Sequence, residues 1–166
     1  MKTDCFELPI PTRDGRFTAR YSEKGLAELN FPVGRASSQA AKQNGVPAKI
    51  RRWHRVTETA LKNVLAGRKS KSLPPLDLSS GTMFQKSVWQ ALRKISTGKT
   101  KSYGEIAQAI GKPKAVRAVG GACGANPIPV LVPCHRVLAA NKKLGGFSGG
   151  LDWKRNLLKR EGVKMN

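Results

Sequence analysis

The sequence predicts an α+β fold. It divides into a small N-terminal unit, residues 1–79, with antiparallel strands and a helix, and a mostly helical C-terminal unit, residues 80–166. Three observations predict it. Two β-compatible runs near the N-terminus are separated by a polar turn, a later stretch repeats its apolar residues at helical spacing, and the second half carries cap and turn signals for successive short helices. A chain of 166 residues is long enough for one ordinary domain or two small ones sharing a core.

In chain order, GRFTARY (15–21) and LAELNF (26–31) are the strand pair, joined by Ser22-Glu23-Lys24-Gly25. Residues 34–50 are rich in Ala, Lys and Gln without a clear period, and Gly45 and Pro47 interrupt them. Trp53, Val56, Thr57, Ala60, Leu61, Val64 and Leu65 then recur at i, i+3, i+4 as one helical stripe, which Gly67 can end. RKSKSLPPLDLSSG (68–81) reads as a polar, proline-containing linker.

The second half opens with Phe84, Val88, Ala91, Leu92 and Ile95 on one helix face, with Ser80 or Thr82 placed as the cap. Ser102-Tyr103-Gly104-Glu105 fits a capping box for a short helix that Gly111 ends. Pro113 suits the first turn of another helix, KPKAVRAVGGACG. Two short helices around a four-residue Gly/Pro turn have helix-turn-helix spacing. The second offers Ala115, Val116, Ala118, Gly120, Gly121 and Ala122, with Arg117 as its one long cation. Two interior glycines cost about 1 kcal/mol each relative to alanine. Tight helix packing would account for them; so would a recognition helix pressed into a nucleic-acid groove with Arg117 projecting and little base-edge readout.

Charge favours a polyanionic partner. The net charge is +21, and residues 80–166 carry 16 basic against 3 acidic residues, compared with 15 and 7 in residues 1–79. No run of about 18 uninterrupted apolar residues exists, which excludes a transmembrane helix. The start, MKTDCFELPIPTRDGR, places charges and prolines where a signal peptide needs an apolar stretch. Three cysteines, Cys5, Cys123 and Cys134, argue against a disulfide framework. The chain is therefore expected in the cytoplasm, or the nucleus of a eukaryote, without a membrane partner.

VPCHRV (132–137) carries the chemistry, following the apolar run IPVLVP, which reads as a buried strand or extended segment. Zinc ligation needs four ligands at C-x₂₋₄-C-like spacing, whereas Cys123 stands eleven residues before Cys134 and His54 has no cysteine near it. No metal or other cofactor is expected. Cys134 is then a buried inert thiol or a nucleophile. Adjacent side chains of an extended segment point apart, so His135 would reach Cys134 through a water or a turn. Of the three carboxylates in this half, Glu105 is accounted for as a cap; Glu161 is the leading candidate to orient His135, with a solvated terminal charge as its other reading.

Taken together, SYGEIA, RAVGGA, NPIPVLVPCHRV, FSGG and KRNLLKREG resemble the O6-alkylguanine-DNA alkyltransferases, the methylated-DNA–protein-cysteine methyltransferases, over roughly residues 82–163. The resemblance implies an RNase H-like N-terminal unit and a winged-helix-like C-terminal unit. It implies irreversible transfer of the alkyl group from a flipped O6-alkylguanine in double-stranded DNA to the chain's own cysteine, by a monomer that acts once; O4-alkylthymine is an open second substrate. Carried over, Cys134 is the acceptor, His135 its base through a water, and Glu161 the residue that orients His135. Tyr103, Asn126, Val137, Phe147, Ser148 and Gly149 are implied around the base, and Ser102, Lys114, Ala115, Arg117, Ala118 and Gly120 at the DNA, with Arg117 filling the vacated stack. Phe147 departs from the tyrosine of many relatives, and Cys123 from a common methionine. A DNA-damage-binding protein without catalysis and a Cys-His hydrolase are the competing functions.

Overall fold

The structure, a computed structural model, describes residues 4–33 and 45–165. Most of the stretch 34–50, for which the sequence suggests no period, lies outside them.

Three strands, β1 (Phe6–Thr12), β2 (Gly15–Ser22) and β3 (Gly25–Asn30), form an antiparallel meander with β2 in the centre. The expected pair is present as β2 and β3. Alternate side chains face inward: Phe17, Ala19 and Tyr21 from β2, Leu8 and Ile10 from β1. α1 (Ala48–Leu65) packs on this sheet through Ile50, Thr57, Ala60, Leu61, Val64 and Leu65, and Gly67 follows it at a φ of +73°. That glycine is required twice over. Its φ favours a residue without Cβ, and a Cβ would overlap the Arg160 carbonyl.

The stretch 68–81 is less free than a linker. Leu26 donates to the Pro75 carbonyl at 2.8 Å, and Asp77 donates to Leu26 at 2.7 Å, so the segment runs along the exposed edge of β3. α2 (Met83–Arg93) follows, with Thr82 and Gln85 forming a capping box. α3 (Tyr103–Ala109) has the expected Ser102–Glu105 box. α4 spans Val116–Gly124, so Pro113 lies in the turn before the helix rather than in its first turn; Ala115, not Pro113, adjoins it.

A second correction concerns IPVLVP. It is buried as expected, but it forms turns and bends, with Val130 at φ +75°, and joins no strand. It runs into a 3₁₀ turn, Cys134–Arg136, and then β5 (Val137–Leu138), which pairs in parallel with β4 (Lys101–Ser102). α5 (Leu151–Arg160) closes the chain. One continuous core links the sheet, α1, Val88, Trp89 and Leu92 of α2, Val119 of α4, and the segment Ile128–Val137. Among the described residues the result is a mixed α+β architecture with a three-stranded antiparallel sheet and five α-helices. No helix among the described residues is long and apolar enough to cross a membrane.

Candidate active site

Cys134 opens the 3₁₀ turn and is 4% exposed. The turn, rather than an extended strand, directs three consecutive side chains into the interior: Cys134, His135 and Arg136 are all buried. Cys134 lines a cavity of about 380 Å³ with Tyr103, Gly120, Cys123, Gly124, Gly146, Phe147 and Ser148.

His135 and Glu161 meet across 26 residues of sequence. The His135 Nε2 lies 3.0 Å from a Glu161 carboxylate oxygen, and the side chains of both are fully buried. Glu161 also takes a fork of bonds from Arg136, at 2.8 Å from one terminal guanidinium nitrogen and 3.0 Å from Nε, and a longer one from the Gly98 amide. Arg136 is held in turn by the Ile95 carbonyl at 2.7 Å. The solvated reading of Glu161 is therefore excluded by burial. Burial alone would raise its pKa, but the bonds and charges of His135 and Arg136 together outweigh it and hold the carboxyl at about 2.

Burial lowers the His135 pKa, with the Glu161 bond opposing, so the ring is neutral near pH 7 and donates Nε2–H to Glu161. Its other nitrogen, Nδ1, is buried without a protein partner among the described residues. An imidazole oriented by a carboxylate, with an open lone pair, can accept a proton. The Cys134 thiol is raised by burial, against which an Asn126 hydrogen bond and the Lys154 charge pull downward. Such a thiol needs a base to become a nucleophile.

The remaining expected residues separate into two groups. Tyr103, Phe147 and Ser148 line the cavity, as does Gly120 from the DNA set. Asn126 is buried; it donates to the Val132 carbonyl at 2.8 Å and accepts from the Ile128 amide, so it ties the end of α4 to the nucleophile's segment. Val137 is buried in β5 and does not line the cavity, while Gly149 sits against the Phe31 ring just beyond it. Lys114, Arg117 and Ala118 are exposed on or before α4, Ala115 adjoins its first turn, and Ser102 caps α3. A Cβ built at Gly120, Gly121 or Gly124 meets nothing within 4 Å. Packing inside the chain therefore does not account for these glycines.

Sequence reasoning missed Lys154, which is fully buried and donates to the Val137 carbonyl at 2.7 Å and the Gly146 carbonyl at 3.1 Å. A signal was available. Lys154 lies on the apolar stripe of α5 with Leu157 and Leu158, and Glu161 continues that stripe one turn later.

A family model described as the DNA-binding domain of 6-O-methylguanine DNA methyltransferase matches residues 83–163. The chain is 44% identical over 160 residues to a methylated-DNA–protein-cysteine methyltransferase of Methanosarcina acetivorans, covering 95% of this chain and 96% of that protein. It is 41% identical to the protein of the same name from Methanosarcina barkeri, over 97% of each. Among solved structures, Mycobacterium tuberculosis OGT in complex with DNA is similar at 37% identity and a TM-score of 0.73, covering 94% of this chain and 92% of that one.

Proposed function

The chain belongs to the methylated-DNA–protein-cysteine methyltransferase family, and on that premise we propose that it repairs DNA directly by moving the alkyl group of O6-alkylguanine onto its own Cys134. The observation that carries this reading is the buried Glu161–His135 pair, with an Nδ1 that has no partner among the described residues, next to a thiol that lines a cavity.

The chemistry follows from that arrangement. His135 Nδ1 takes the Cys134 proton through a bridging water, and Glu161 stabilises the imidazolium that results. The thiolate attacks the alkyl carbon; an S–C bond forms, the C–O6 bond breaks, and its electron pair passes to the guanine. The Tyr103 hydroxyl, on the cavity wall, gives the guanine ring its proton. Nothing hydrolyses the thioether, so each molecule acts once.

The helix-turn-helix of α3 and α4 carries the DNA. Ser102, Lys114, Ala115, Ala118 and Gly120 approach the backbone, and Arg117 fills the place of the flipped base. Asn126 couples α4 to the nucleophile, as its bond to Val132 supports. The backbone near Val137 and the Ser148–Gly149 loop hydrogen-bond the guanine, with Phe147 as an aromatic wall. Residues 1–79 form an RNase H-like unit and 80–166 a winged-helix-like one, and the protein acts as a monomer in the compartment that holds its DNA, without a cofactor.

The test is incubation with duplex DNA containing O6-methylguanine, followed by peptide mapping by mass spectrometry. One methyl group per chain on Cys134 is expected, with no further turnover. Cys134→Ala abolishes transfer and leaves duplex affinity intact. Continued turnover would indicate a hydrolase, and an unlabelled chain with high affinity for the lesion would indicate a damage-binding protein.

A further inference from the structure

Phe31 joins the N-terminal sheet to the loop that walls the cavity. It follows β3 directly, and its ring centre lies 5.1 Å from that of Trp153 on α5, 5.4 Å from Phe17 of β2 and 5.6 Å from Phe147. Phe17 and Trp153 also meet, at 5.6 Å, so three rings close a triangle against which Phe147 stands edge-on. Aromatic pairs at these separations attract beyond the burial of their area. Two backbone features aim the Phe31 ring. Leu29 donates its amide to the Pro127 carbonyl at 2.9 Å, which seats the end of β3 on the segment that leads to Cys134. Pro32 lies so close to Gly15 that a Cβ there would come within 2.8 Å of it, so the turn between β1 and β2 fixes the chain just past Phe31.

The cavity loop leans on this ring. Residues 143–150 belong to no helix or strand, yet Phe147 and Ser148 line the cavity. A Cβ on Gly149 would come to 2.6 Å from the Phe31 ring, whereas the φ of Gly149 lies outside the left-handed region. Gly149 is therefore held at glycine by close approach to the ring and not by backbone geometry.

We propose that Phe31 is a positioning residue for alkyl transfer, whose ring seats the Phe147–Gly149 loop so that the N-terminal sheet shapes a cavity it does not line. The inference rests on Cys134 being the alkyl acceptor. In that reaction the S–C bond forms as the C–O6 bond breaks, with the electron pair leaving to the guanine. Sulfur, carbon and oxygen must stand in line for this displacement, and a small shift of the base is costly in rate. A loop without regular structure cannot fix the base to that tolerance by itself; a ring held from three sides can. Loosening the loop therefore slows transfer while duplex affinity, carried by α3 and α4, stays as it is.

A double-mutant cycle of Phe31→Leu and Gly149→Ala tests this, read by the single-turnover rate of methyl transfer at saturating duplex and by duplex affinity. Phe31→Leu removes the ring and is expected to slow transfer about 10- to 10²-fold with affinity unchanged. Gly149→Ala drives a methyl group into the ring and is expected to slow transfer by a similar factor. With leucine at position 31 that methyl group has room, so adding Gly149→Ala to Phe31→Leu should slow transfer only about threefold or less further. Rate losses that simply multiply would mean that the two residues act separately, and they overturn the proposal. So does a folded Phe31→Leu protein with the wild-type rate. His54→Gln loosens α1 from the same sheet at a distance from the loop; an equal loss of rate there would reduce the effect to general stability and overturn the proposal as well. Should Phe31→Leu not fold, the same cycle built on Phe31→Met decides by the same outcomes. A wild-type chain that puts no methyl on Cys134 overturns the functional reading instead.

Discussion

The chain's two histidines occupy two niches that differ by one hydrogen bond. His54, on α1, uses both ring nitrogens: Nδ1 lies 2.8 Å from the Tyr21 hydroxyl and Nε2 3.1 Å from the Pro9 carbonyl. The carbonyl can only accept, so Nε2 carries the hydrogen and Nδ1 accepts from the phenol. His135 spends Nε2 on Glu161 and keeps Nδ1 without a protein partner among the described residues. Burial lowers the pKa of both rings, so charge does not distinguish them. What distinguishes them is completeness. A histidine whose bonds are all made ties α1 to the sheet, whereas one with a lone pair left over can take a proton.

The largest effect expected from this contrast is on catalysis. His135→Gln removes the proposed base and should slow methyl transfer by about 10²- to 10⁴-fold, while leaving duplex affinity unchanged. His54→Gln should leave the transfer rate alone and cost about 1–3 kcal/mol of stability, since it disturbs two partnered groups. Rates from single-turnover assays and stabilities from urea unfolding separate the two. A folded His54 variant that loses transfer would break the comparison.

Glu161→Gln sharpens it next. The substitution leaves the buried Arg136 guanidinium without its counter-charge and should cost about 3–5 kcal/mol. The native pKa of Glu161, about 2, is below its ordinary value of 4.5. A group depressed on folding contributes stability above its unfolded pKa and loses it as pH falls through the folded one. Wild-type stability should therefore decline between about pH 4.5 and 2, and the Glu161→Gln protein should show a shallower decline in the same window by acid titration.

Legibility in the sequence followed range. The capping boxes at Thr82 and Ser102 are local, four-residue signals, and both are present. β1 was missed because Pro9 and Pro11 argue against a strand, yet an edge strand tolerates residues without an N–H, and Leu8 and Ile10 still alternate inward. IPVLVP misled in the opposite sense: an apolar run shows burial, but the turn at Val130 is set by tertiary packing. In the site, Cys134 and His135 were visible as neighbours. The partnership of His135 with Glu161 is legible only as the leading choice among three carboxylates, with a solvated charge as its rival, because the 25 intervening residues carry no local signal that joins them.

The outer face of α4 extends the same contrast from side chains to backbone. At Gly121 an added Cβ meets no atom within 4 Å, and the residue's φ lies outside the left-handed region that would require glycine. Neither crowding within the chain nor backbone geometry holds that position at glycine. Alanine there should stabilise the helix by about 1 kcal/mol and raise Tm by about 2–4 °C. A residue that forgoes such a gain points to a constraint outside the chain, and the close approach of the DNA backbone to α4 proposed above would supply one. Gly121→Ala should therefore weaken duplex binding a few-fold, measured by fluorescence anisotropy, while the transfer rate at saturating DNA is unchanged. Gly120 is the poorer probe because it also lines the cavity. A higher Tm with undiminished affinity would remove this face of α4 from the DNA interface, and the small residues would then need another cause.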